Sequence, residues 1–71
     1  MIVLGYVFKP VKRKHLQWEL NGVRIEQLPG PQGIDIFQVS FNGWSYTSKD
    51  PELALTSLSV ELEREVGELL G

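Results

Sequence analysis

Two Asn-Gly pairs, Asn21-Gly22 and Asn42-Gly43, constrain the fold of this chain more than any other feature. Asn followed by Gly accepts positive φ at both central positions, which the type I′ turn of a two-residue β-hairpin requires. When the flanking residues are folded back around each pair, apolar side chains fall on one face and polar side chains on the other. A shift of one residue would mix the two faces, so the sequence predicts two β-hairpins in fixed registers.

The turn-forming cluster PGPQG, residues 29–33, connects the two hairpins. The predicted order is therefore a four-stranded antiparallel meander over residues 15–20, 23–28, 34–41 and 44–48. Its apolar face is expected to hold Trp18, Leu20, Val23, Ile25, Phe37, Val39, Phe41, Trp44 and Tyr46. Ile34 and Ile36 point to the opposite face, and this conflict predicts a bulge or local twist near residues 35–37.

The last third of the sequence predicts an α-helix. Asp50 suits the N-cap, Pro51 the first helical position, and Glu52 the positive end of the helix dipole. Apolar residues then recur every three or four positions, at Leu55, Leu58, Leu62, Val66 and Leu69. They form one stripe, which we expect to cover the apolar face of the sheet.

The N-terminal run of residues 2–8 is β-branched and aromatic and ends at Pro10. We expect it to form a fifth strand in a well-covered position. Residues 1–71 are thus predicted to form a single small α+β domain. Its architecture is an antiparallel β-meander of four strands plus an N-terminal fifth, covered on one face by a single C-terminal α-helix.

The composition of the 71 residues restricts the environment. The chain has no cysteine, which excludes disulfides and thiolate metal sites and fits a reducing compartment. The N-terminal apolar run lacks the basic flank and cleavage site of a signal peptide, and it is too short to span a bilayer. We therefore expect a cytoplasmic protein with no membrane partner.

The charges are unevenly distributed along the chain. The net charge is −2, yet four of the seven Lys and Arg residues lie within positions 9–14. These candidate nucleic-acid contacts are Lys9, Lys12, Arg13 and Lys14. Clustered cations bind phosphates by releasing counterions, and the flanking Phe8 and Trp18 could stack bases. The alternative is a solvated loop, since charge runs usually form exposed surface and the acidic remainder would repel phosphate.

No catalytic, metal-binding or cofactor-binding constellation is evident in the sequence. His15 is the only histidine, and its neighbours in sequence are basic or amide residues, so an exposed strand-edge position is expected. Glu61, Glu63 and Glu65 are spaced so that their side chains scatter around a helix. We expect a protein that is not an enzyme, with no cofactor and no evident small-molecule ligand.

Four apolar residues have no place in a core made from one sheet face and one helix stripe. Leu53 and Val60 fall opposite the stripe on the helical wheel, and Ile34 and Ile36 fall on the outer sheet face. Exposed single apolar residues are common, so these positions suit either ordinary surface or a protein interface. Small chains often supplement their core by association, and we expect a homodimer closed by an edge strand or by the outer patch.

Two stretches carry a resemblance to known families. A β-meander followed by SKDPELAL resembles the sheet and helix of the antitoxins that pair with HicA-type toxins. The stretch FQVSFNGWSYTSKDPELA is similar in outline to the arm-binding domains of tyrosine integrases. The chain lacks the proline-rich core pattern of the first family and is acidic where the second is basic. Neither resemblance assigns a site residue.

Two functions follow as hypotheses. The first is a small non-enzymatic protein-interaction module with a regulatory or accessory role, since open sheets present edges that recruit strands. The second is a nucleic-acid-binding accessory protein that uses the basic segment, residues 9–15.

Overall fold

A computed structural model describes all residues from 1 to 71 and confirms the α+β class. Strands β3 to β7 form one antiparallel sheet in chain order, and β1 and β2 form a separate hairpin. The helices follow in the last third of the chain. The elements are β1 Ile2–Val3, β2 Tyr6–Val7, β3 Lys9–Pro10, β4 Gln17–Leu20, β5 Val23–Pro29, β6 Asp35–Phe41, β7 Trp44–Ser48, α1 Pro51–Glu61 and α2 Val66–Leu70.

Both Asn-Gly hairpins form in the predicted registers. Leu20 pairs with Val23 across the first turn, and Phe41 pairs with Trp44 across the second. The two Asn residues have φ of 49° and 51°, and the glycines that follow have φ of 86° and 90°. Positive φ at both central positions is the signature of the type I′ turn. Both Asn-Gly pairs therefore form the predicted turn type.

The N-terminal run folds differently from the expectation of a strand over residues 2–8. Gly5 divides the run, and a turn with positive φ at Leu4 and Gly5 pairs β1 with β2. Hydrogen bonds between Met1 and Phe8 close the open end of this hairpin. Val3 and Phe8 are each only 1% exposed, so the hairpin contributes to the core without joining the sheet. The fifth strand of the sheet is β3, which pairs with β4.

Of the bulge or local twist expected near residues 35–37, the bulge is absent, and that part of the expectation was wrong. β5 and β6 pair without interruption from Arg24–Ser40 to Pro29–Asp35. Ile36 therefore lies on the outer sheet face, where its cross-strand neighbour is Leu28. Two apolar side chains that face each other across strands shield part of each other, so β6 has no need to rotate.

The core lies between the sheet and α1, which packs against β6 and β7. Val23, Ile25 and Val39 from the sheet are fully buried, as are Leu55 and Leu58 from α1. The core residues are Val3, Phe8, Val23, Ile25, Val39, Ala54, Leu55, Leu58, Leu69 and Leu70. Most of the other predicted apolar-face residues are half-buried against this cluster. Asp50 caps α1 as expected, since its carboxylate accepts from the Glu52 N–H at 2.9 Å.

The predicted single helix is divided in two, because α1 ends at Glu61. Glu63 has φ of 55°, and its N–H donates to the Val60 carbonyl while the Arg64 N–H donates to the Ser59 carbonyl. These two bonds and the left-handed residue form a Schellman motif, which terminates helices. The buried Ser59 hydroxyl also donates to the Arg64 carbonyl, which fixes the change of direction.

The second helix, α2, returns the end of the chain to the first hairpin. Leu69 and Leu70 are buried, and the Leu70 carbonyl accepts from the Asn21 side-chain amide at 2.7 Å. The Tyr6 hydroxyl lies beside Gly67, so α2 also approaches the N-terminal hairpin. Neither α1 nor α2 has the length and apolar character needed to cross a membrane.

Candidate functional site

The two edges of the five-stranded sheet differ in length and chemistry. One edge is β3, which has only two residues, one of them Pro10, and is followed by the basic turn. The other edge is β7, with the five residues WSYTS. Natural sheets usually protect their edges by shortness, proline or charge. The first edge has all three protections and the second has none.

The backbone of β7 has unpaired groups that face away from the sheet. In a two-residue hairpin the residues flanking the turn form a hydrogen-bonded pair, and such pairs alternate along the ladder. Because Phe41 and Trp44 flank the turn, Ser45 and Thr47 direct their N–H and C=O groups outward. Both residues are exposed, and no backbone hydrogen bond outside the ladder reaches either. We call this outward backbone of β7 the open edge.

A row of polar side chains crosses the outer face of the sheet. Successive pairing places one residue of each strand in line, in the order Lys9, Glu19, Arg24, Ser40 and Ser45. We call this set the polar row. With strands about 4.8 Å apart, it extends roughly 19 Å. Glu19 and Arg24 form a salt bridge of 2.9 Å within it. A second line of cross-strand neighbours, Gln17, Glu26, Gln38 and Thr47, runs beside it.

Two shallow clefts lie along the polar row and share Glu19. The first, the turn cleft, has a volume of about 480 Å³ and lies beside both Asn-Gly turns. It is lined by Glu19, Gly22, Arg24, Gln38, Ser40, Phe41, Asn42, Gly43, Trp44 and Ser45. The second, the basic cleft, has a volume of about 420 Å³. It is lined by Lys9, Pro10, Val11, Lys12, Glu19, Leu20 and Asn21. Because they share Glu19, the two clefts adjoin along one side of the sheet.

The basic segment consists of the edge strand β3 and a turn that backbone hydrogen bonds hold in place. Lys9 lies in β3, and a hydrogen bond of 3.1 Å from the Lys14 N–H to the Val11 carbonyl closes the turn that follows. Arg13 has φ of 64° within that turn. The Val11 N–H donates to the Gln17 carbonyl at 2.9 Å, so the base of the turn is attached to the sheet. The predicted contacts Lys9, Lys12, Arg13 and Lys14 are thus brought together at one end of the sheet, and all four are exposed.

None of these four cations has an acidic partner. The only salt bridge in the structure joins Arg24 to Glu19. The acidic residues of the C-terminal third belong to the helical layer, which packs on the inner face of the sheet. Glu61 is the last residue of α1, for example, and Glu68 lies in α2. Most acidic residues of the C-terminal third are therefore separated from the basic segment, whereas Glu19 lies opposite Lys9 and lines the basic cleft.

One titratable group on the inner face is perturbed. Tyr46 of β7 is half-buried and lies near Glu61 of α1. Burial first, and then the hydrogen bond and negative charge of Glu61, raise the pKa of the Tyr46 phenol above its ordinary value of 10.0. This pair joins the end of α1 to the middle of β7 and belongs to the helical side rather than to the clefts.

The four apolar candidates lie in two separate places. Leu53 and Val60 are 61% and 72% exposed on α1, on the side directed away from the sheet. We call this pair the apolar strip. Ile34 is 40% exposed after the 3-10 turn Pro31–Gly33, whereas Ile36 is half-buried. The Cγ2 atom of Ile36 lies so close to Gly30 that a Cβ there would be only 2.9 Å away. The loop of residues 29–33 therefore covers part of the outer patch, which consists of Ile34 and Ile36.

The remaining titratable residues do not form a cluster. His15 is exposed next to the basic turn, and no group of three or more His, Asp or Glu side chains is placed to hold a metal ion. The sequence analysis missed one aromatic residue at the clefts. Trp44 lies on the predicted core face, since it pairs with Phe41, but it is 44% exposed and also lines the turn cleft. Its position directly after a tight turn, at a corner of the sheet, is the signal that could have identified it.

Comparison with known proteins adds no relative, because no family model, curated protein or solved structure matches the chain.

Proposed function

We propose that this protein is a non-enzymatic interaction module that adds an extended protein strand to the open edge of β7. The observation that carries the proposal is the contrast between the two sheet edges. β7 presents the unpaired backbone groups of Ser45 and Thr47 in a five-residue strand without charge or proline. Such an edge recruits a strand through main-chain hydrogen bonds, and the side chains of β7 set the preference for the incoming sequence.

A second copy of the chain is the partner that β7 fits most simply. In an antiparallel pair with a two-fold axis at Tyr46, Ser45 of one copy faces Thr47 of the other. This register uses the outward groups of both residues in two hydrogen-bonded pairs. It places hydroxyl side chains opposite each other on the outer face and brings no like charges of β7 together. A two-fold axis uses the same surface on both copies, so the assembly closes as a homodimer.

The proposal is tested by hydrogen exchange at increasing protein concentration. The amides of Ser45 and Thr47 are expected to exchange rapidly in the monomer and to become protected when the dimer forms. Light scattering up to about 1 mM measures association, since that dissociation constant corresponds to about −4 kcal/mol. A chain that stays monomeric at that concentration contradicts the proposal.

Three variants identify the surface that associates. Thr47→Pro removes an outward N–H without removing a bond to β6, and it should abolish association while the amide shifts of the first hairpin stay unchanged. Ile36→Lys on the outer patch and Leu53→Ser on the apolar strip are matched controls that should still associate. If Ile36→Lys gives the monomer and Thr47→Pro does not, the outer patch is the interface and the open edge is not.

A further inference from the structure

The N-terminal hairpin has one face that the core does not use. Ile2 and Val7 lie opposite each other across β1 and β2, and they are 70% and 56% exposed. Leu4, in the turn that joins the two strands, is also exposed. We call Ile2, Leu4 and Val7 the N-terminal patch. Tyr6 lies on the opposite face of the hairpin, where its hydroxyl is beside Gly67 of α2.

The N-terminal patch continues into the basic segment along one stretch of chain. Phe8, between β2 and β3, exchanges backbone hydrogen bonds with Met1, so the ladder of the hairpin extends to the start of β3. Side chains alternate along a strand, and the exposed Val7 and Lys9 therefore lie on the side opposite to the buried Phe8. The turn after β3 then adds the other three cations of the basic segment.

This part of the chain contains no carboxylate. Residues 1–18 hold four of the seven Lys and Arg residues and no Asp or Glu. They also hold four of the eight large apolar side chains that are exposed, so cations and apolar surface are concentrated together. The first acidic residue, Glu19, lies opposite Lys9 and is paired with Arg24 at 2.9 Å. Glu68 belongs to α2, which approaches the hairpin from its other face.

The composition of this surface favours a lipid bilayer over another macromolecule. Its exposed apolar side chains are aliphatic, and the rings of Tyr6 and Phe8 pack against the core, so no ring is presented to a nucleic-acid base. Three of its four cations are lysines, which are depleted from protein interfaces. Binding to a membrane surface increases with the apolar area that is buried and with the attraction of cations to anionic lipids.

We infer that this protein binds the surface of an anionic lipid bilayer through the N-terminal patch and the basic segment. Ile2, Leu4 and Val7 enter the boundary between headgroups and acyl chains, and the cations contact the anionic headgroups. Residues 2–8 are too short to span a bilayer, but a surface contact requires only that their side chains reach this boundary. The β3 and β7 edges are at opposite ends of the sheet, so this proposal and the open-edge proposal can fail independently.

The experiment measures binding to lipid vesicles by co-sedimentation at about 0.1 M salt. Vesicles of phosphatidylcholine alone are compared with vesicles that also contain phosphatidylserine. We expect binding to the second kind only, and we expect it to weaken at about 1 M salt, where exposed charges are screened. A fluorescein-labelled single-stranded oligonucleotide is measured in parallel by fluorescence anisotropy.

Two double variants of equal charge test the basic segment. Lys12→Gln combined with Lys14→Gln should weaken binding to the anionic vesicles roughly thirtyfold, since each cation near such a surface contributes about fivefold. Lys49→Gln combined with Arg64→Gln removes the same charge from other parts of the chain. This matched control should change binding by less than about twofold, because distant exposed charges are screened.

Two further measurements test the N-terminal patch. Ile2→Thr combined with Val7→Thr keeps the β-branched shape of a cross-strand pair and should weaken vesicle binding at least about tenfold. Val60→Thr on the apolar strip is the matched control and should leave binding unchanged. Because the chain has no cysteine, Val7→Cys can carry an environment-sensitive fluorophore at one position only. Its emission should shift to shorter wavelength on the anionic vesicles, whereas the same label at Ser57→Cys should not respond.

Any of three results overturns the inference. The first is the absence of binding to the anionic vesicles at about 0.1 M salt. The second is binding of the oligonucleotide without binding of the vesicles, which identifies nucleic acid as the ligand. The third is vesicle binding that the double Thr variant leaves unchanged and that gives no emission shift at position 7, which leaves a charge contact without insertion. Amide shifts of each variant verify that the sheet and the hairpin are intact.

Discussion

The two Asn-Gly hairpins have the same dipeptide and the same turn type but different surroundings. The first tip is attached to the end of the chain, since the Asn21 amide donates to the Leu70 carbonyl at 2.7 Å. Gly22 also faces the ring of Phe41, whose Cε2 atom lies 3.5 Å from the Cβ position. Gly43 of the second tip has nothing within 4 Å of that position. Local sequence therefore sets the turn, and tertiary contacts set how strongly each hairpin is held.

The largest difference is expected when the attachment of the first hairpin is weakened. Leu70 is 4% exposed in α2, and Leu70→Ala should lower the free energy of unfolding by about 2–5 kcal/mol because it leaves a cavity. Hydrogen exchange should accelerate more at the first hairpin tip than at the second. Urea unfolding measures the free energy of unfolding of each variant. Leu53→Ala on the exposed strip should change this free energy by less than about 0.5 kcal/mol. Equal losses from both substitutions would show that α2 does not hold the fold.

A smaller difference is expected between the two Asn residues themselves. Asn42→Ala should cost about 1 kcal/mol, because Ala tolerates positive φ less well than Asn. Asn21→Ala should cost about 1 kcal/mol more, since it also removes the hydrogen bond to Leu70. The difference should vanish in a chain shortened before α2, provided that this chain still folds. Thermal unfolding of the two variants is the measurement. Equal losses of stability in the full chain would exclude a contribution from the hydrogen bond between Asn21 and Leu70.

The smallest effect concerns the connection that brings α2 to the first hairpin. Glu63 has φ of 55° at the position of the Schellman motif that glycine usually occupies. Glu63→Gly should therefore raise the free energy of unfolding by about 0.5–1 kcal/mol, because the strain of a left-handed residue exceeds the entropy that glycine adds. Glu65→Gly, two residues later with φ of −70°, is the matched control and should not stabilise. If Glu63→Gly instead lowers the free energy of unfolding, the Glu63 side chain contributes more stability than its left-handed backbone conformation costs.

Much of the sheet was predictable because its determinants are local. The Asn-Gly turns and the alternation of polar and apolar residues fix the register of β4 with β5 and of β6 with β7. The cap at Asp50 and the first turns of α1 are local in the same way. By contrast, the division of the helix depends on the buried Ser59 and on Glu63 in a conformation that its residue type does not favour.

The N-terminal hairpin and the site were harder to predict for a common reason. A β-branched run is consistent with one long strand or two short ones, and only its packing on the core decides. Four cations in the basic segment were recognisable from their spacing, and the structure brings them to one end of the sheet. The exposure of Trp44 and the open edge of β7 depend on where the sheet ends and how far α1 covers it. The position of Trp44 directly after a turn indicates its exposure, but the extent to which α1 covers the sheet is not encoded in a pattern of neighbouring residues.

The strand order has a consequence for how the chain acquires its structure. Each strand of the sheet pairs with the strand next to it in sequence, so its contacts need only short loops and can form early. The bond from Asn21 to Leu70 instead spans 49 positions. The local contacts of the meander can therefore form before α2 covers the apolar surface on which it packs. Completion of the core depends on docking of α2, residues 66–70, which is the step with the largest separation in sequence.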